Sequence, residues 1–468
     1  MVKRIYLILI FAAMVIPTVQ QVFQLYKEEP LTGITSTAEK VPFTKENYWN
    51  LKWQEGLNAY VNDHFGSRPD FVRAYNQILL SVFNVSNAPG VVVGKDEQLF
   101  IESYIDDYIG RNYIGHDKIE ETVDNLRSLQ DSLKTIGTDL IVVFAPGKAS
   151  FYPEFIPDQY LSKKKEVTNY SDYRKSFTEK GVNFIDLNQF FKEKKSDFKY
   201  NVYSKYGTHW NHYGMMVALD TIVSYIEHKR EINLPDINYD QVKMSSDLKG
   251  NDFDIGVLVN TTFGITKDNN PYPVINIDKG EQYSKPDVLI VGDSYWWCLV
   301  GDNIPGKIFK TDEYWFYNKD QYIDNGKRNE VSKLDLFETT SNRDVIVLIA
   351  TEATFYMFPY GFADNVMKVY CESHDGAIQK ELDRLKADPA SVERIVASAK
   401  ENKRTTEQEF KREAYKAFYG KDNGLTQMMD NIRKDSVWMS HISEKAKANN
   451  ISVEEQLRLD AIWTLEHK

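Results

Sequence analysis

Residues 288–294 read Val288-Leu289-Ile290-Val291-Gly292-Asp293-Ser294. A short apolar run that stops at a small residue, an acid and a hydroxyl is typical of a buried strand with a turn at its carboxyl end. Ligands of open parallel sheets bind at that end, where a turn into a helix exposes a serine oxygen beside backbone N–H groups that can stabilise an oxyanion. The pattern makes Ser294 a candidate nucleophile, with an ordinary exit from a strand as the alternative.

Similar apolar runs occur on both sides of this stretch. Leu140–Phe144, Asn183–Leu187 and Val345–Ile349 predict three further strands. Helical periodicity lies between them, in the stripe from Ile119 to Leu133 and in Met215–Ile226. Short, continuous apolar strands that alternate with helices are typical of a mostly parallel sheet that is covered on both faces. We therefore expect an α/β fold with a mostly parallel sheet flanked by helices.

A histidine motif, Thr208-His209-Trp210, lies between a polar loop and the predicted helix at Met215. A serine hydroxyl becomes nucleophilic when a base accepts its proton, and a loop histidine at the edge of a sheet can be that base. His209 is accordingly the candidate base. His209 and His212 could also share a metal, but no third ligand stands nearby in the sequence, so we expect neither a metal site nor a cofactor.

The two motifs together resemble a known family, the SGNH-hydrolase-like O-acetyltransferases of the alginate O-acetylation type (AlgJ/AlgX-like, DHHW-related). In that family a His-Trp motif precedes a Gly-Asp-Ser motif, as it does here. The similarity spans roughly residues 49–370, and its further pieces are Asn62-Asp63-His64-Phe65 with Arg68, Val93-Gly94-Lys95 with Leu99-Phe100, Ala145-Pro146-Gly147-Lys148 with Tyr152-Pro153, and Asp344. An α/β-hydrolase elbow is not indicated, because Trp296 occupies the place of the second glycine of Gly-x-Ser-x-Gly.

The resemblance implies an SGNH-like fold in which Ser294 is the nucleophile, with its own N–H in the oxyanion hole, and His209 is the base. It further implies an O-acetyltransferase that acetylates hydroxyls of a cell-surface or exported polysaccharide. A membrane-bound O-acyltransferase partner would deliver the acetyl group. Two alternatives stay open: an acetylesterase that acts on glycans, and a catalytically weak glycan-binding scaffold of an acetylation complex.

One position departs from the family pattern. The family has an Asp two residues before the histidine, and this chain has Gly207 there. A glycine cannot hold an imidazole in one tautomer, so either another carboxylate takes that part or activity is weak. Asp293 and Glu352 are the sequence candidates, and the simpler interpretation of Asp293 is that it binds backbone groups of its own turn.

Two further kinds of residue lie near the motifs. Lys148 follows a predicted strand and is expected on the same rim as Ser294, either bound to a substrate hydroxyl or solvated. Aromatic residues could stack on sugar faces or simply pack in the core; they are Trp210, Tyr295, Trp296, Trp297, Trp315 and Tyr317.

The amino terminus predicts export. Lys3 and Arg4 precede an apolar run from Ile5 to Pro17 that continues less purely to Phe23, about the length of a membrane span. Because no clear cleavage site follows, an uncleaved signal anchor is preferred over a removed signal peptide. The expected location is the bacterial inner membrane, with a single-pass anchor and the domain facing the periplasm.

The charge and the cysteine count limit the possible partners and disulfide bridges of the chain. The net charge of −11 would repel phosphate backbones and argues against nucleic-acid partners. The two cysteines, Cys298 and Cys371, could form at most one bridge, which their spacing does not decide. We expect a signal anchor at 1–26, a polar linker and helical preface at 27–90, the SGNH-like domain at 91–370 and a helical appendage at 371–468.

Overall fold

The computed structural model of the chain describes residues 2–33, 37–265, 267–368, 370, 375–420, 425–449 and 451–466. Its strands are β1 Val91–Val93, β2 Leu99–Ile101, β3 Asp139–Ala145, β4 Phe184–Asp186, β5 Ile237–Asn238, β6 Val242–Ser245, β7 Asn270–Pro273, β8 Asn276–Ile277, β9 Val288–Gly292, β10 Tyr314–Phe316, β11 Asp320–Ile323, β12 Gly326–Glu330 and β13 Val345–Thr351.

The helices fall into three groups along the chain. The first group is α1 Val2–Phe23, α2 Lys45–Trp49, α3 Lys52–His64 and α4 Arg68–Phe83. The second is α5 Glu102–Tyr108, α6 His116–Lys134, α7 Lys148–Phe151, α8 Asp158–Leu161, α9 Asn169–Lys180, α10 Leu187–Glu193, α11 His212–Arg230, α12 Asp254–Leu258, α13 Trp297–Gly301, α14 Pro305–Ile308, α15 Leu336–Ser341 and α16 Phe362–Met367. The third is α17 Asp375–Ala387, α18 Pro389–Glu401, α19 Thr406–Gly420, α20 Leu425–Lys434, α21 Ser436–Asn449 and α22 Val453–Glu466.

A seven-stranded sheet forms the centre, in the order β12-β11-β10-β9-β13-β3-β4. The five strands from β10 to β4 are parallel to their neighbours, whereas β11 and β12 add an antiparallel edge. The predicted α/β fold with a mostly parallel sheet is therefore confirmed. The antiparallel edge was not expected, because the polar strand Gly326–Glu330 carries no apolar alternation that would mark it.

The register of the central strands brings their carboxyl ends to one edge. Thr351 at the end of β13 pairs with Ala145 at the end of β3, and Ile349 pairs with Gly292 at the end of β9. The chain therefore leaves all three strands at the same edge, so the segments that begin with residues 146, 293 and 352 start side by side. These are the segments that carry Lys148, Ser294 and Glu352.

Apolar layers cover both faces of the sheet. On one face, side chains of β3 and β13 pack with α10, α11 and α13. On the other face they pack with α6, α9 and α16, and this cluster continues into the carboxyl-terminal helices through buried Ile395, Phe410, Ile432 and Leu457. The rings of Phe337 and Tyr415 stack at 5.8 Å across that boundary. The carboxyl-terminal helices thus share a core with the sheet instead of standing apart from it.

The amino-terminal helix α1 has a different character. Its segment Lys3–Phe23 is long and apolar enough to cross a membrane, with a mean hydropathy of 2.0, and little of it is buried against the rest of the protein. Beyond it, α3 and α4 are separated by a short bend at Phe65–Ser67.

Candidate active site

Ser294 lies at the carboxyl end of β9. The strand ends at Gly292, and Ser294 begins a single 3-10 turn, Ser294–Trp296, that leads into α13. Gly292 allows the close strand packing at this point, because a β-carbon there would stand 2.7 Å from the carbonyl oxygen of Ile349. The Ser294 side chain is half-buried, so its hydroxyl sits at the sheet edge and remains accessible from one side.

His209 lies on the loop that precedes α11. Asn211 caps that helix by accepting a hydrogen bond from the Gly214 N–H at 2.9 Å, which fixes where the loop ends. The imidazole Nε2 of His209 lies 2.8 Å from the Ser294 hydroxyl oxygen. Two motifs far apart in the sequence therefore meet within hydrogen-bond distance, although their chemical roles stay a prediction.

A third residue, Asp254, contacts His209 from the other side, and the sequence interpretation missed it. Asp254, His209 and Ser294 thus form a row of three side chains. Its Oδ2 lies 3.1 Å from Nδ1 of His209, and its Oδ1 accepts hydrogen bonds from the N–H groups of Thr208 and Ile255, both at 2.8 Å. A carboxylate facing Nδ1 places the imidazole proton there and leaves Nε2 free to accept the Ser294 proton. Asp254 thus both fixes the loop and orients the ring.

A weak sequence signal for Asp254 exists. Asp252-Phe253-Asp254 precedes the apolar run from Ile255 to Val259, and acids before such a run indicate the start of a helix. That signal predicts a helix terminus only. Nothing in the sequence places the terminus of α12 against the histidine loop.

Gly207 explains why the acid comes from another segment. A β-carbon on residue 207 would stand 2.6 Å from the carbonyl oxygen of Asn251 and 3.1 Å from the carbonyl carbon of Asp252. The Tyr206 carbonyl also accepts hydrogen bonds from the N–H groups of Ile255 and Gly256. The segment that carries Asp254 is therefore packed directly onto the backbone where the family has its aspartate side chain.

Asp293 and Glu352, the two acids suggested by the sequence, do not contact His209. Asp293 Oδ2 accepts hydrogen bonds from the Thr351 N–H and hydroxyl, both at 2.8 Å, and from the Thr354 hydroxyl at 2.9 Å. Its Oδ1 accepts from the Tyr295 N–H at 3.2 Å. Only the Tyr295 contact lies within the turn of Asp293, as the simpler interpretation expected, whereas its other three contacts join that turn to the end of β13.

Glu352 is buried beneath the site. Its Oε1 accepts a hydrogen bond from the Asn188 side chain at 2.7 Å, and burial raises the pKa of its carboxyl group. The nearby Asp107 is also buried, and burial, together with the charge of Glu352, raises the pKa of Asp107 to about 7. These two buried acids lie near each other at the sheet edge, and neither contacts the imidazole of His209.

The sequence expectation for Lys148 was wrong in both forms. Its side chain is only 2 % exposed, so it is neither solvated nor free to bind a substrate. The Nζ donates to the carbonyl oxygens of Leu99, Ser204 and Lys205 at 2.8 Å and lies 3.1 Å from that of Gly207. Burial lowers the pKa of Lys148 to about 7. Lys148 clamps the loop that leads to His209.

Tyr295 and Trp210 connect the serine motif and the histidine motif through a hydrogen bond and ring contacts. The Tyr295 hydroxyl donates to the Thr208 carbonyl at 3.1 Å, and its ring lies 4.9 Å from that of His209. Trp210 packs edge-on against the Tyr295 ring, with 4.9 Å between the ring centres. Of the aromatic residues considered for sugar stacking, Trp210, Tyr295, Trp296 and Trp315 are buried in the core. Trp297 and Tyr317 are half-buried.

His212 takes no part in this row. His212 Nδ1 lies 3.6 Å from Asp252 and its Nε2 lies 3.7 Å from Asp302, so the two histidines face different acids. In the part of the chain that the structure describes, no group of three His, Cys, Asp or Glu side chains is arranged to hold a metal. Cys298 is a free thiol, and Cys371 lies outside the described residues.

Comparison with known proteins agrees with the motifs. Residues 91–272 match the family described as "SGNH hydrolase-like domain, acetyltransferase AlgX". The matched segment contains His209 and Asp254, whereas Ser294 lies beyond it. A probable alginate O-acetylase AlgJ of Pseudomonas putida is 25% identical over 149 residues, which cover 31% of this chain and 36% of that protein. The alignment thus spans little more than a third of the curated relative.

Two of the solved structures that are similar to this chain come from Pseudomonas species. The O-acetyltransferase domain of Pseudomonas putida AlgJ has 18% identity and a TM-score of 0.38, with 57% of this chain and 93% of that chain covered. Pseudomonas aeruginosa AlgX has 17% identity and a TM-score of 0.39, with 59% of this chain and 66% of that chain covered. Together with the family match, the sequence relative confirms the AlgJ/AlgX-like resemblance that the motifs indicated.

Proposed function

We propose that this chain, whose residues 91–272 carry the AlgX-type SGNH hydrolase-like domain, is an acetyltransferase that acts through an acyl-enzyme on Ser294. Its acceptors would be hydroxyl groups of a cell-surface or exported polysaccharide. The observation that carries the proposal is the row of Asp254, His209 and Ser294, with contacts of 3.1 Å and 2.8 Å. Such a row of acid, imidazole and hydroxyl is the arrangement that activates a serine for acyl transfer.

In the first half of the proposed reaction, Ser294 Oγ attacks the carbonyl carbon of an acetyl ester while His209 Nε2 takes the hydroxyl proton. Asp254 stabilises the imidazolium that forms. The Ser294 N–H, at the start of the 3-10 turn, would donate to the oxyanion of the tetrahedral intermediate. Collapse of that intermediate breaks the bond to the donor oxygen, which leaves with the proton from His209, and the acetyl group stays on Ser294.

In the second half, a sugar hydroxyl takes the place of the departed donor. His209 removes its proton as its oxygen attacks the acetyl carbon, and the Ser294 oxygen then leaves and recovers that proton. Of the six aromatic residues considered from the sequence, Trp297 and Tyr317 are half-buried, and they are the two proposed to contact a sugar face. Neither half of the proposed reaction uses a metal or an organic cofactor.

The same proposal includes a location. Helix α1 would anchor the chain in the bacterial inner membrane, with the catalytic domain in the periplasm and a membrane-bound O-acyltransferase as the source of acetyl groups. The positively charged Lys3 and Arg4 at its amino end favour a cytoplasmic amino terminus. The segments 1–26, 27–90, 91–370 and 371–468 remain the proposed division of the chain, with the helices of 371–468 packed on the sheet as part of one core.

Two rivals use the same fold. In an acetylesterase, water instead of a sugar resolves the acyl-enzyme. A catalytically weak scaffold was suggested by Gly207, which lacks the side chain that should orient the base. The contact between Asp254 and His209 supplies an acid at that place and favours an enzyme over a scaffold.

The test uses the purified full chain with an acetyl-ester donor and an oligosaccharide. We expect an acetylated sugar and, after rapid quenching, an acetylated peptide that contains Ser294, both detected by mass spectrometry. Ser294→Ala should lose both, whereas Ser162→Ala, at an exposed serine, should keep both. Free acetate without acetylated sugar would favour the esterase. Normal glycan acetylation in cells that carry Ser294→Ala, together with its loss on deletion of the protein, would favour the scaffold.

A further inference from the structure

Exposed apolar side chains are concentrated in one short part of the chain after α1. Among the described residues beyond Tyr26, nine large apolar side chains are exposed after residue 85, whereas 13 are exposed within residues 43–85. Those 13 are Phe43, Tyr48, Trp49, Leu51, Leu57, Val61, Phe65, Phe71, Tyr75, Ile78, Val82, Phe83 and Val85. Such a density exceeds the scattered exposure that is normal for a soluble surface and marks an interaction surface.

Within this region the exposed residues follow helical geometry. Leu57, Val61 and Phe65 recur every four residues on α3 and its end, and so share one face. Phe71, Tyr75, Ile78 and Val82 have the spacing of a single face on α4. We call these seven residues the hairpin stripe.

The other side of α4 is held by the domain. Asn76 is buried, and its side chain donates to the Val259 carbonyl at 2.8 Å. The α4 part of the hairpin stripe therefore points away from this contact, and all seven residues of the stripe are exposed.

The bend between the two helices is packed against α1. A β-carbon on Gly66 would stand 2.2 Å from the Pro17 carbonyl oxygen and 2.6 Å from the Gln21 N–H nitrogen. The Ser67 N–H donates to Glu28 at 2.6 Å, just beyond the end of α1. Backbone therefore meets backbone at the carboxyl-terminal end of the helix that could cross the membrane.

The length of α1 places this contact near one membrane surface. Its 22 residues span about 33 Å at 1.5 Å each, which is close to the roughly 30 Å of a bilayer's hydrocarbon core. Pro17 and Gln21 lie in its last two turns and hence near the boundary. Exposed Tyr48 and Trp49 belong to the same region, and these residue types are enriched at membrane interfaces.

We propose that α3 and α4 lie on the outer surface of the bilayer that α1 crosses, with the hairpin stripe inserted among the lipids. The inference takes from the proposed function only that α1 is a membrane anchor. Lipid is the partner that can cover the hairpin stripe without a second protein, because the bend between α3 and α4 is packed against the end of α1, where the membrane surface would lie. The stripe would then hold the domain in a set orientation over the membrane.

The test uses the full chain in vesicles of phosphatidylcholine and phosphatidylglycerol. Single cysteines in a Cys298→Ser, Cys371→Ser background carry an environment-sensitive fluorophore, and lipids brominated on their acyl chains serve as quenchers. Val82→Cys and Leu57→Cys probe the stripe. Their neighbours Ser81→Cys and Asn58→Cys are exposed but stand about 100° around each helix, and serve as matched controls. Phe11→Cys reports whether α1 is inserted.

We expect blue-shifted, strongly quenched emission at Val82→Cys and Leu57→Cys, at a depth of about 5–10 Å, and little of either at the two controls. Quenching at Phe11→Cys with water-like emission at the stripe would overturn this inference and leave the anchor intact. No quenching at Phe11→Cys would refute the anchor itself. A blue shift at the stripe that brominated lipids do not quench would show that protein covers it, and would also overturn the inference.

Discussion

Gly207 lies so close to Asn251 that a β-carbon on residue 207 would stand 2.6 Å from the Asn251 carbonyl oxygen. The segment that excludes a side chain at this position also brings Asp254 to His209 at 3.1 Å. One segment therefore both leaves no room for a side chain at residue 207 and supplies the acid that contacts His209. The chain keeps an acid behind the imidazole but takes it from the start of α12.

The first prediction concerns the role of this acid. Asp254→Asn should lower kcat for acetyl transfer by up to about 10⁴-fold, because an amide no longer holds the imidazole in the productive tautomer or stabilises its charged form. Its amide oxygen can still accept from the Thr208 and Ile255 N–H groups, so folding should be retained. Steady-state kinetics with an acetyl-ester donor measures the loss.

Asp302→Asn is the control for this change, because Asp302 is a partly exposed acid that faces His212 instead of His209. Its kcat should equal that of the unsubstituted chain. A kcat for Asp254→Asn that stays within about tenfold of the original would mean that Asp254 does not orient the base.

The second prediction concerns the family aspartate. Gly207→Asp should destabilise the fold by about 1–3 kcal/mol, because the new side chain must displace the backbone at Asn251. It should also fail to restore activity when combined with Asp254→Asn. Gly301→Ala is the control, since a β-carbon there meets open space, and it should not lower the free energy of unfolding. Recovery of kcat in the double variant would contradict this account.

The central sheet could be predicted because its strands carry their own signal. Continuous apolar runs such as Val345–Ile349 are buried on both faces and are short enough to be told from helices. The edge strands could not be predicted in the same way. Gly326–Glu330 is polar throughout, and only its pairing with β11 makes it a strand.

The site could be predicted only in part, for a similar reason. Ser294 and His209 lie in local motifs whose neighbours point to their chemistry, whereas Asp254 depends on how a distant turn packs on Gly207. The prediction for Lys148 was wrong because a lysine after a strand is normally solvated. Its ammonium group can be buried because it donates hydrogen bonds to carbonyl groups of two other segments, around Leu99 and Ser204.

The third prediction concerns the Lys148 clamp. Lys148→Met should lower the free energy of unfolding by about 1–3 kcal/mol at pH 7, because buried carbonyl groups, among them that of Gly207, lose their donor. Denaturant titration of the full chain in detergent measures the change. Lys205→Met removes a neighbouring, more exposed lysine and should cost far less. Equal losses in the two variants would show that the clamp contributes nothing specific.

The last prediction concerns pH and the buried acid Asp107. Burial raises its pKa from 3.8 to about 7, so between these values the folded chain holds a proton that the unfolded chain has released. Stability must then fall as pH rises from about 4 to 7, because the folded state binds more protons in that range. Asp107→Asn removes this loss and should raise the free energy of unfolding by about 1–3 kcal/mol at pH 8, with a smaller gain at pH 4.5. Asp131→Asn, at a half-exposed acid, should show no such dependence. An equal effect of Asp107→Asn at both pH values would mean that Asp107 is already ionised in the folded protein at pH 4.5.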